Sequence, residues 1–272
     1  MILRCGRFEL SLERPLVMGV INVTPDSFSG GGRFLDAKTA IAHARRLIGE
    51  GADLVDVGGE STRPGAAPVS ETEELKRILP VVQALREVPI SVDTRRPKVM
   101  QGALAAGASM INDIEALKAP GALEAVANSD CAICLMHMQG EPGTMQSDPR
   151  YGDVVNEVKD FLAGRVAACE KSGIARERIV ADPGFGFGKT VGHNLTLLKR
   201  LPEFASLGVP MLAGWSRKSS LGRITGRDTG ERLAGSLAAA LLALLGGARI
   251  LRVHDVKETR DAVLMFEAWR KA

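Results

Sequence analysis

Residues 54–70 read LVDVGGESTRPGAAPVS and carry the pattern that decides the fold: a short apolar run stops abruptly in residues fit for chemistry. The run 54–57 has the length of a buried β-strand, and a loop rich in glycine, proline and charged residues follows it directly. The same arrangement occurs eight times, with helix-like segments between, at residues 17–21, 54–57, 90–92, 110–111, 132–136, 179–181, 209–213 and 250–253. This alternation predicts an α/β fold, a (β/α)8 TIM barrel, with its functional site at the carboxyl ends of the strands.

The remaining sequence is consistent with one domain over residues 1–272. Alternating apolar residues between positions 3 and 12 predict a short N-terminal β-hairpin, placed to plug the bottom of the barrel. Asp36 is the predicted N-cap of the first helix. An open doubly wound sheet is the alternative fold, but it needs fewer strands and usually a glycine-rich turn after the first strand. Polar residues at all eight strand ends favour the closed barrel.

Composition narrows the classes of function. Hydrophobic residues make up 45% of the 272, which is enough for a large core. The 35 basic and 32 acidic residues leave a net charge of +3, too balanced for nucleic-acid binding through a bulk positive field. The most apolar helix, residues 233–245, is too short to span a bilayer, so no membrane association is expected. It is predicted to be buried in the protein or against another subunit.

The cysteines and the N-terminus bear on the cellular compartment. Cys131 and Cys134 form a single C-x-x-C, whereas a zinc site of that type needs a second pair. Because residues three apart on a strand point to opposite faces, we predict buried free thiols rather than a metal or redox pair. The first ten residues, MILRCGRFEL, lack the apolar core of a signal peptide. Together these features predict a cytoplasmic protein.

Acidic and amide side chains follow three of the predicted strands. Asp93 and Asp182 come directly after buried strands, and Asn112 ends the strand next to that of Asp93. Taken singly, each is better explained as a cap on the helix that follows. Together they suit a ligand with many N–H donors, such as a fused aminopyrimidine ring, whose ring N–H and exocyclic amine match one carboxylate.

Cationic side chains form a second group. Arg252 and His254 end the last strand, and Asn22 and Arg63 end or follow its neighbours, so a closed barrel brings all four together. Such a group suits a phosphate or pyrophosphate, and the amide oxygen of Asn22 adds a neutral ligand for Mg²⁺. The purely structural explanations are that Arg63 is a solvated charge on a loop and that His254 is a hydrogen-bonded histidine at the rim of the barrel. Lys218 lies at the end of the seventh strand and faces the same mouth.

The segment 184–190, GFGFGKT, resembles a phosphate-binding loop but does not satisfy the motif. A Walker A sequence requires glycine where this chain has Pro183, and the alternating glycines do not make a G-x-G-x-x-G fingerprint. We interpret the loop as one whose glycines let it pass close to a ligand, with phenylalanines as an apolar wall. His137 is interpreted as a structural histidine at the rim.

The strand ends together resemble those of the dihydropteroate synthase family of pterin-binding enzymes, from about residue 5 to the C-terminus. Any one motif is modest evidence, but all eight in order are very specific. The matching segments are GVINVTPDSFS (19–29), DVGGESTRPGA (56–66), SVDTRRP (91–97), INDI (111–114), LMHMQG (135–140), DPGFGFGK (182–189), SRKSSLG (216–222) and RVHDV (252–256).

The resemblance implies a transferase of folate synthesis that joins p-aminobenzoate to 6-hydroxymethyl-7,8-dihydropterin pyrophosphate, uses Mg²⁺, forms a homodimer through C-terminal helices and is a sulfonamide target. It implies pterin contacts from Asp93, Asn112, Asp182 and Lys218. It implies pyrophosphate and Mg²⁺ contacts from Asn22, Arg63, Arg252 and His254, with Asn22 as the metal ligand. It implies a p-aminobenzoate pocket from Phe28, Thr62, Pro64, Phe187, Lys218 and Ser219. The implied catalytic set is Lys218, Arg252, His254 and Asp93.

One departure from the family pattern concerns the loop after the first strand of the barrel. The family usually reads SFSDGG, whereas residues 27–32 here read SFSGGG, so the acid that helps order the closed loop is replaced by Gly30. This feature keeps a non-catalytic pterin-binding paralogue as a possible function. A methyltetrahydrofolate-type methyltransferase barrel is a second possibility, although it has no need of the cationic group. A phosphate-sugar barrel enzyme is a third, which the carboxylate-rich cavity disfavours.

Overall fold

Strands and helices alternate along the chain in the computed structural model, which describes residues 1–23, 33–60 and 69–272, with the backbone alone at 33–36. The strands are β1 Ile2–Cys5, β2 Phe8–Ser11, β3 Leu16–Asn22, β4 Leu54–Gly58, β5 Ile90–Asp93, β6 Met110–Asp113, β7 Ala132–Met136, β8 Ile179–Asp182, β9 Leu212–Ala213 and β10 Ile250–Val253.

The helices lie between these strands. They are α1 Arg33–Gly49, α2 Glu71–Ala84, α3 Pro97–Ala106, α4 Ala122–Ala127, α5 Val154–Lys171, α6 Val191–Lys199, α7 Ser219–Thr225, α8 Leu233–Leu245 and α9 Val256–Lys271. Short 3₁₀ turns cover Arg176–Arg178, Leu201–Leu207 and Thr229–Glu231.

The predicted TIM barrel is confirmed. Eight parallel strands form one sheet in the order β8-β7-β6-β5-β4-β3-β10-β9, and a parallel bridge between Ala181 and Met211 joins its two ends. The seventh predicted strand is shorter than residues 209–213, since regular pairing covers only Leu212 and Ala213. Pro210 has no N–H for a strand ladder, although its carbonyl oxygen accepts from the Ala181 N–H at 3.0 Å.

The N-terminal hairpin is also confirmed. β1 and β2 pair antiparallel, and Leu3 and Cys5 pack against side chains that fill the barrel, Met18 and Met110 among them. The hairpin therefore closes the end of the barrel at which the strands begin. This leaves the carboxyl ends of the strands as the accessible mouth.

The cysteines are buried as free thiols, as predicted. Cys134 faces the barrel interior, whereas Cys131 packs in the layer between sheet and helices, so the two point to opposite faces. Burial raises the pKa of the Cys5 thiol to about 11, and thiols of this kind are unreactive near neutral pH.

Three of the helices, α2, α5 and α6, begin with a side-chain cap. Ser70 Oγ accepts a hydrogen bond from the Glu73 N–H at 3.2 Å, which caps α2. Asp153 caps α5 in the same way. The predicted N-cap at Asp36 is wrong, because α1 begins at Arg33. Residues 33–35 are Arg, Phe and Leu, which a helix accommodates at little cost.

Within the described ranges, no helix combines the length and the apolarity that crossing a lipid bilayer requires.

Candidate active site

The strand register brings the polar strand ends to one level. Asp93 pairs with Gly58 on one side and with Asn112 on the other. Asn22 pairs with Gly58, and Met136 pairs with Asp182. The polar residues that end these strands therefore lie around one mouth of the barrel, with Asp93 and Asn112 as direct neighbours.

Arg252 lies among the carboxylates of this mouth. Its Nε donates to Asp56 Oδ2 at 2.6 Å, and its Nη2 donates to Asp93 Oδ2 at 2.9 Å. The Nδ2 of Asn112 donates to the same Asp56 oxygen at 3.1 Å. The expected division into a carboxylate interior and a separate cationic rim is thus wrong for Arg252, since a guanidinium facing into the barrel needs carboxylate partners.

Asp56 is missing from the residues predicted from the sequence, yet it anchors this network. The residue is fully buried, and its Oδ1 has no hydrogen-bond partner among the described residues. The sequence did contain a signal for Asp56. It is an aspartate inside the apolar run LVDVG, and a buried carboxylate that points into the barrel needs a partner. Burial raises the pKa of the neighbouring Asp93 carboxyl, and the Arg252 guanidinium opposes that rise.

Asp182 presents a carboxylate to the cavity at the end of β8. Its Oδ1 accepts from the Gly184 N–H at 2.7 Å. Within the described part of the chain no other donor reaches the carboxylate, which leaves one oxygen for a ligand. The side chain is 6% exposed, and burial raises its pKa. A buried carboxylate with an open acceptor suits a ligand with paired N–H donors.

Lys218 lies near enough to Asp182 for the two charges to interact. Its Nζ lies 4.0 Å from the centroid of the Phe187 ring, a cation–π contact. A Cβ at Gly186 would lie 3.1 Å from Lys218 Cδ, so glycine allows this close approach. Burial and the Arg252 charge lower the pKa of Lys218 to about 8, against the effect of nearby carboxylates. Ser219 is exposed at the start of α7.

His254 is a neutral side chain. Its Nδ1 lies 3.0 Å from Ser216 Oγ, and that same oxygen accepts from the His254 backbone N–H at 3.1 Å. Burial, followed by the charges of Arg252 and Arg217, lowers the pKa of His254 to about 3. A neutral ring of this kind serves an anion as a hydrogen-bond donor rather than through its charge.

Asn22 could bind a metal ion only if a bound substrate supplied further ligands to that ion. In the described ranges no group of three or more His, Cys, Asp or Glu side chains could bind a metal. A Cβ on Gly58 would be in van der Waals contact with Asn22 Oδ1, at 3.8 Å, so glycine keeps a side chain away from this oxygen. One neutral oxygen fits Mg²⁺, which usually keeps several waters and bridges phosphates.

An apolar wall borders the cavity between β6 and β8. It consists of Ile114, Met136, Met138 and Met145, with Phe187 packed against them. Phe187 was predicted, whereas the methionines were not, although two of them flank His137 in the segment LMHMQG. A flat aromatic ligand would contact such a wall through its faces.

Several predicted residues lie outside the described part of the chain: Phe28, Thr62, Arg63 and Pro64, and the Gly30 departure. The described residues that flank 61–68 are joined to each other. Glu60 Oε1 accepts from the Val69 N–H at 3.2 Å and from Arg96 Nη2 at 2.8 Å.

Comparison with known proteins agrees with this geometry. Residues 18–254 match the family described as pterin binding enzyme. The dihydropteroate synthase of Escherichia coli (strain K12) is 53% identical over 263 residues, which is 96% of this chain and 93% of that protein. The Yersinia pestis dihydropteroate synthase, solved with a sulfonamide drug complex, superposes with a TM-score of 0.95 at 48% identity over the whole of both chains. The Burkholderia cenocepacia enzyme, solved with 7,8-dihydropteroate, gives a TM-score of 0.90 at 51% identity, covering 99% of this chain and 96% of that one. The chain belongs to the dihydropteroate synthase family of pterin-binding enzymes.

Proposed function

We propose that this chain condenses p-aminobenzoate with 6-hydroxymethyl-7,8-dihydropterin pyrophosphate, giving 7,8-dihydropteroate and pyrophosphate. The observation that carries the proposal is the buried Asp182 carboxylate, which keeps an open oxygen inside a mouth lined by Asn112, Asp93 and an apolar wall. The full-length similarity to a synthase solved with 7,8-dihydropteroate supports the same substrates.

The pterin ring occupies the interior of the mouth. Its ring N–H and exocyclic amine face Asp182, and Asn112 supplies a second polar contact. Lys218 lies near the carbonyl edge of the ring, where an ammonium donor is complementary. Asp93 already accepts a hydrogen bond from Arg252 through Oδ2. Its other oxygen is the one that can accept from the ring.

The pyrophosphate lies at the rim beside Asn22 and His254. Arg252 forms ion pairs with Asp56 and Asp93. It therefore attracts the pyrophosphate through its positive charge and through the N–H groups that these pairs leave unused. Mg²⁺ held by the Asn22 oxygen and the pyrophosphate would neutralise charge on the leaving group. Cleavage of the methylene C–O bond leaves a carbocation conjugated with the dihydropterin, which the neighbouring carboxylates stabilise.

The arylamine nitrogen of p-aminobenzoate then forms a bond to the methylene carbon, and the resulting anilinium loses its proton to water. An arylamine is weakly basic and is already neutral at pH 7, so the reaction needs no strong general base. Phe187 and Lys218 line the described side of this pocket. A sulfonamide, which mimics p-aminobenzoate, would bind at the same place, and the Yersinia pestis enzyme has been solved with such a drug.

An assay of pyrophosphate release tests the function directly. We expect the pure protein, given the pterin pyrophosphate and Mg²⁺, to release pyrophosphate only when p-aminobenzoate is also present. Binding of the pterin pyrophosphate without release would instead support the non-catalytic paralogue. Transfer of a methyl group from methyltetrahydrofolate would support the methyltransferase barrel.

Activity should fall as pH rises through about 8, because Lys218 then loses its proton. The ammonium is the charged form below its pKa, and the neutral amine binds anionic and carbonyl oxygens less well. A pH profile of kcat/KM for p-aminobenzoate measures this. The Lys218→Arg variant keeps its charge at high pH, so its activity should no longer fall above about pH 8. The control Lys199→Arg, on the exposed end of α6, should still show this alkaline limb of the profile. A limb that persists in Lys218→Arg would contradict the assignment.

We further propose that the protein is a homodimer through α8 and α9. Five large apolar side chains on these helices are 53–68% exposed, namely Leu242, Leu245, Leu264, Met265 and Trp269. A patch of this kind on adjacent helices is typical of a subunit interface. A cytoplasmic location is proposed as well, supported by the buried free thiols.

Sedimentation velocity tests the dimer. We expect a species of twice the 28.9 kDa chain mass for the wild type and a monomer for Leu245→Arg. Leu195→Arg makes the same change on an exposed apolar residue of α6 and should leave the dimer intact. A monomeric wild type would overturn the proposal.

A further inference from the structure

Lys189 ends the glycine-rich segment that resembles a phosphate loop, yet its side chain is turned into the protein. The residue is 3% exposed. Its Nζ donates to the backbone oxygens of Phe187 at 2.9 Å, Gly184 at 3.0 Å and His137 at 3.2 Å. It also lies 3.0 Å from His137 Nδ1. These partners surround the amino group, so no N–H is left for a ligand. Burial lowers the pKa of Lys189 to about 7.

The partners of Lys189 are the residues that hold Asp182. The Gly184 N–H donates to Asp182 Oδ1 at 2.7 Å, and the His137 N–H donates to the Asp182 backbone oxygen at 3.0 Å. Lys189 binds the carbonyl oxygens of both Gly184 and His137. The third carbonyl partner, Phe187, forms the apolar side of the cavity. One buried ammonium thus joins the end of β7 to the turn that follows β8.

The turn after β8 packs closely against the segment that follows β7. Gly184 has φ +69°, and a Cβ there would lie 1.9 Å from the His137 backbone oxygen. Gly188 has φ +60°, and a Cβ there would lie 2.3 Å from the Gln139 backbone oxygen. The turn is therefore packed directly on the backbone of residues 137–139, which follow β7. Carbonyl oxygens buried by such packing need a hydrogen-bond donor, which Lys189 supplies.

His137 completes the arrangement as an acceptor. Burial, and then the Lys189 charge, lowers the pKa of His137 to about 3, so its ring is neutral and Nδ1 can accept from the ammonium. The ring is further held by an edge contact with Phe161, with centroids 5.0 Å apart. His137 is thus a structural partner of Lys189, in line with its interpretation from the sequence.

We propose that Lys189 is a positioning residue for the condensation: its buried ammonium, bound by the carbonyls of His137, Gly184 and Phe187, fixes the turn that directs Asp182 and Phe187 into the cavity. Lys189 itself touches neither substrate. The inference rests on the proposed function only in taking the ligand of Asp182 to be a pterin.

Calorimetry with two separate ligands tests this. The first ligand is 6-hydroxymethyl-7,8-dihydropterin without phosphates, and the second is pyrophosphate with Mg²⁺. We expect Lys189→Met to raise the pterin Kd about 10- to 100-fold, the scale of losing one hydrogen bond to a charged group. The binding stoichiometry and the pyrophosphate Kd should be unchanged. Lys199→Met, the same substitution on the surface of α6, should change neither Kd.

A merely structural role would give a different result. Partial unfolding lowers the stoichiometry of both ligands and leaves the Kd of the folded fraction as in the wild type, which would overturn the proposal. If Lys189→Met does not fold, Lys189→Gln keeps two N–H donors and should show a smaller rise in pterin Kd; a wild-type Kd there would also overturn it. Failure of the wild type to bind the pterin would overturn the proposed function instead.

Discussion

Replacing Asp182 with asparagine should weaken binding of phosphate-free 6-hydroxymethyl-7,8-dihydropterin by about 100-fold or more. Two charge-assisted hydrogen bonds from one ligand to one buried carboxylate are the strongest polar contacts available in the cavity. Asparagine keeps an acceptor for the Gly184 N–H, so the turn after β8 is preserved while the second oxygen becomes an N–H donor facing the N–H groups of the ligand. Isothermal calorimetry measures the loss.

The control for this prediction is Asp160→Asn, which makes the same change on an exposed residue of α5 and should bind the pterin normally. Pyrophosphate binding should be retained by both variants, because the rim residues are untouched. Near-normal pterin affinity in Asp182→Asn would remove Asp182 from the site.

Replacing Arg252 with methionine should lower the free energy of unfolding by about 3–5 kcal/mol, the usual cost of leaving a buried ion pair without one partner. Arg252 pairs with both Asp56 and Asp93, and Asp56 is fully buried. The variant should lose affinity for pyrophosphate, because a positive charge is removed. It should also lose affinity for the pterin, because Asp93 loses the partner that positions it. An arginine acting only as an anion clamp would affect pyrophosphate alone.

A double-mutant cycle identifies the cause of the Arg252 effect. Adding Asp56→Asn to Arg252→Met should recover part of the lost stability in urea denaturation, since the unpaired charge is then removed. Arg150→Met breaks an exposed ion pair with Asp148 and should cost no more than about 1 kcal/mol. Strictly additive effects of Asp56→Asn and Arg252→Met would show that the two residues do not interact.

The positions of the site residues could be predicted because a parallel barrel places every strand end at one mouth. Asp93, Asn112 and Asp182 were found as polar residues ending apolar runs; the register pairs Asp93 with Asn112 and Asp182 with Met136. That inference needs only the strand pattern, which is local in the sequence.

The pairing between side chains could not be predicted in the same way. The bonds from Arg252 to Asp56 and Asp93 span 196 and 159 residues and depend on how the closed barrel aligns its strands. The neutrality of His254 follows from burial beside two arginines, which a residue type does not reveal. The sequence assigns no role to Lys189, and only the packing of the turn shows that carbonyl oxygens surround it.

A crystal structure of the wild-type protein with 7,8-dihydropteroate bound is the most direct test of the proposed site. We expect the pterin ring inside the mouth, with its ring N–H and exocyclic amine about 2.7–3.2 Å from the Asp182 carboxylate, and the aminobenzoate group beside Phe187 and Lys218. A ring bound elsewhere, or one that leaves Asp182 without a contact, would contradict the central claim.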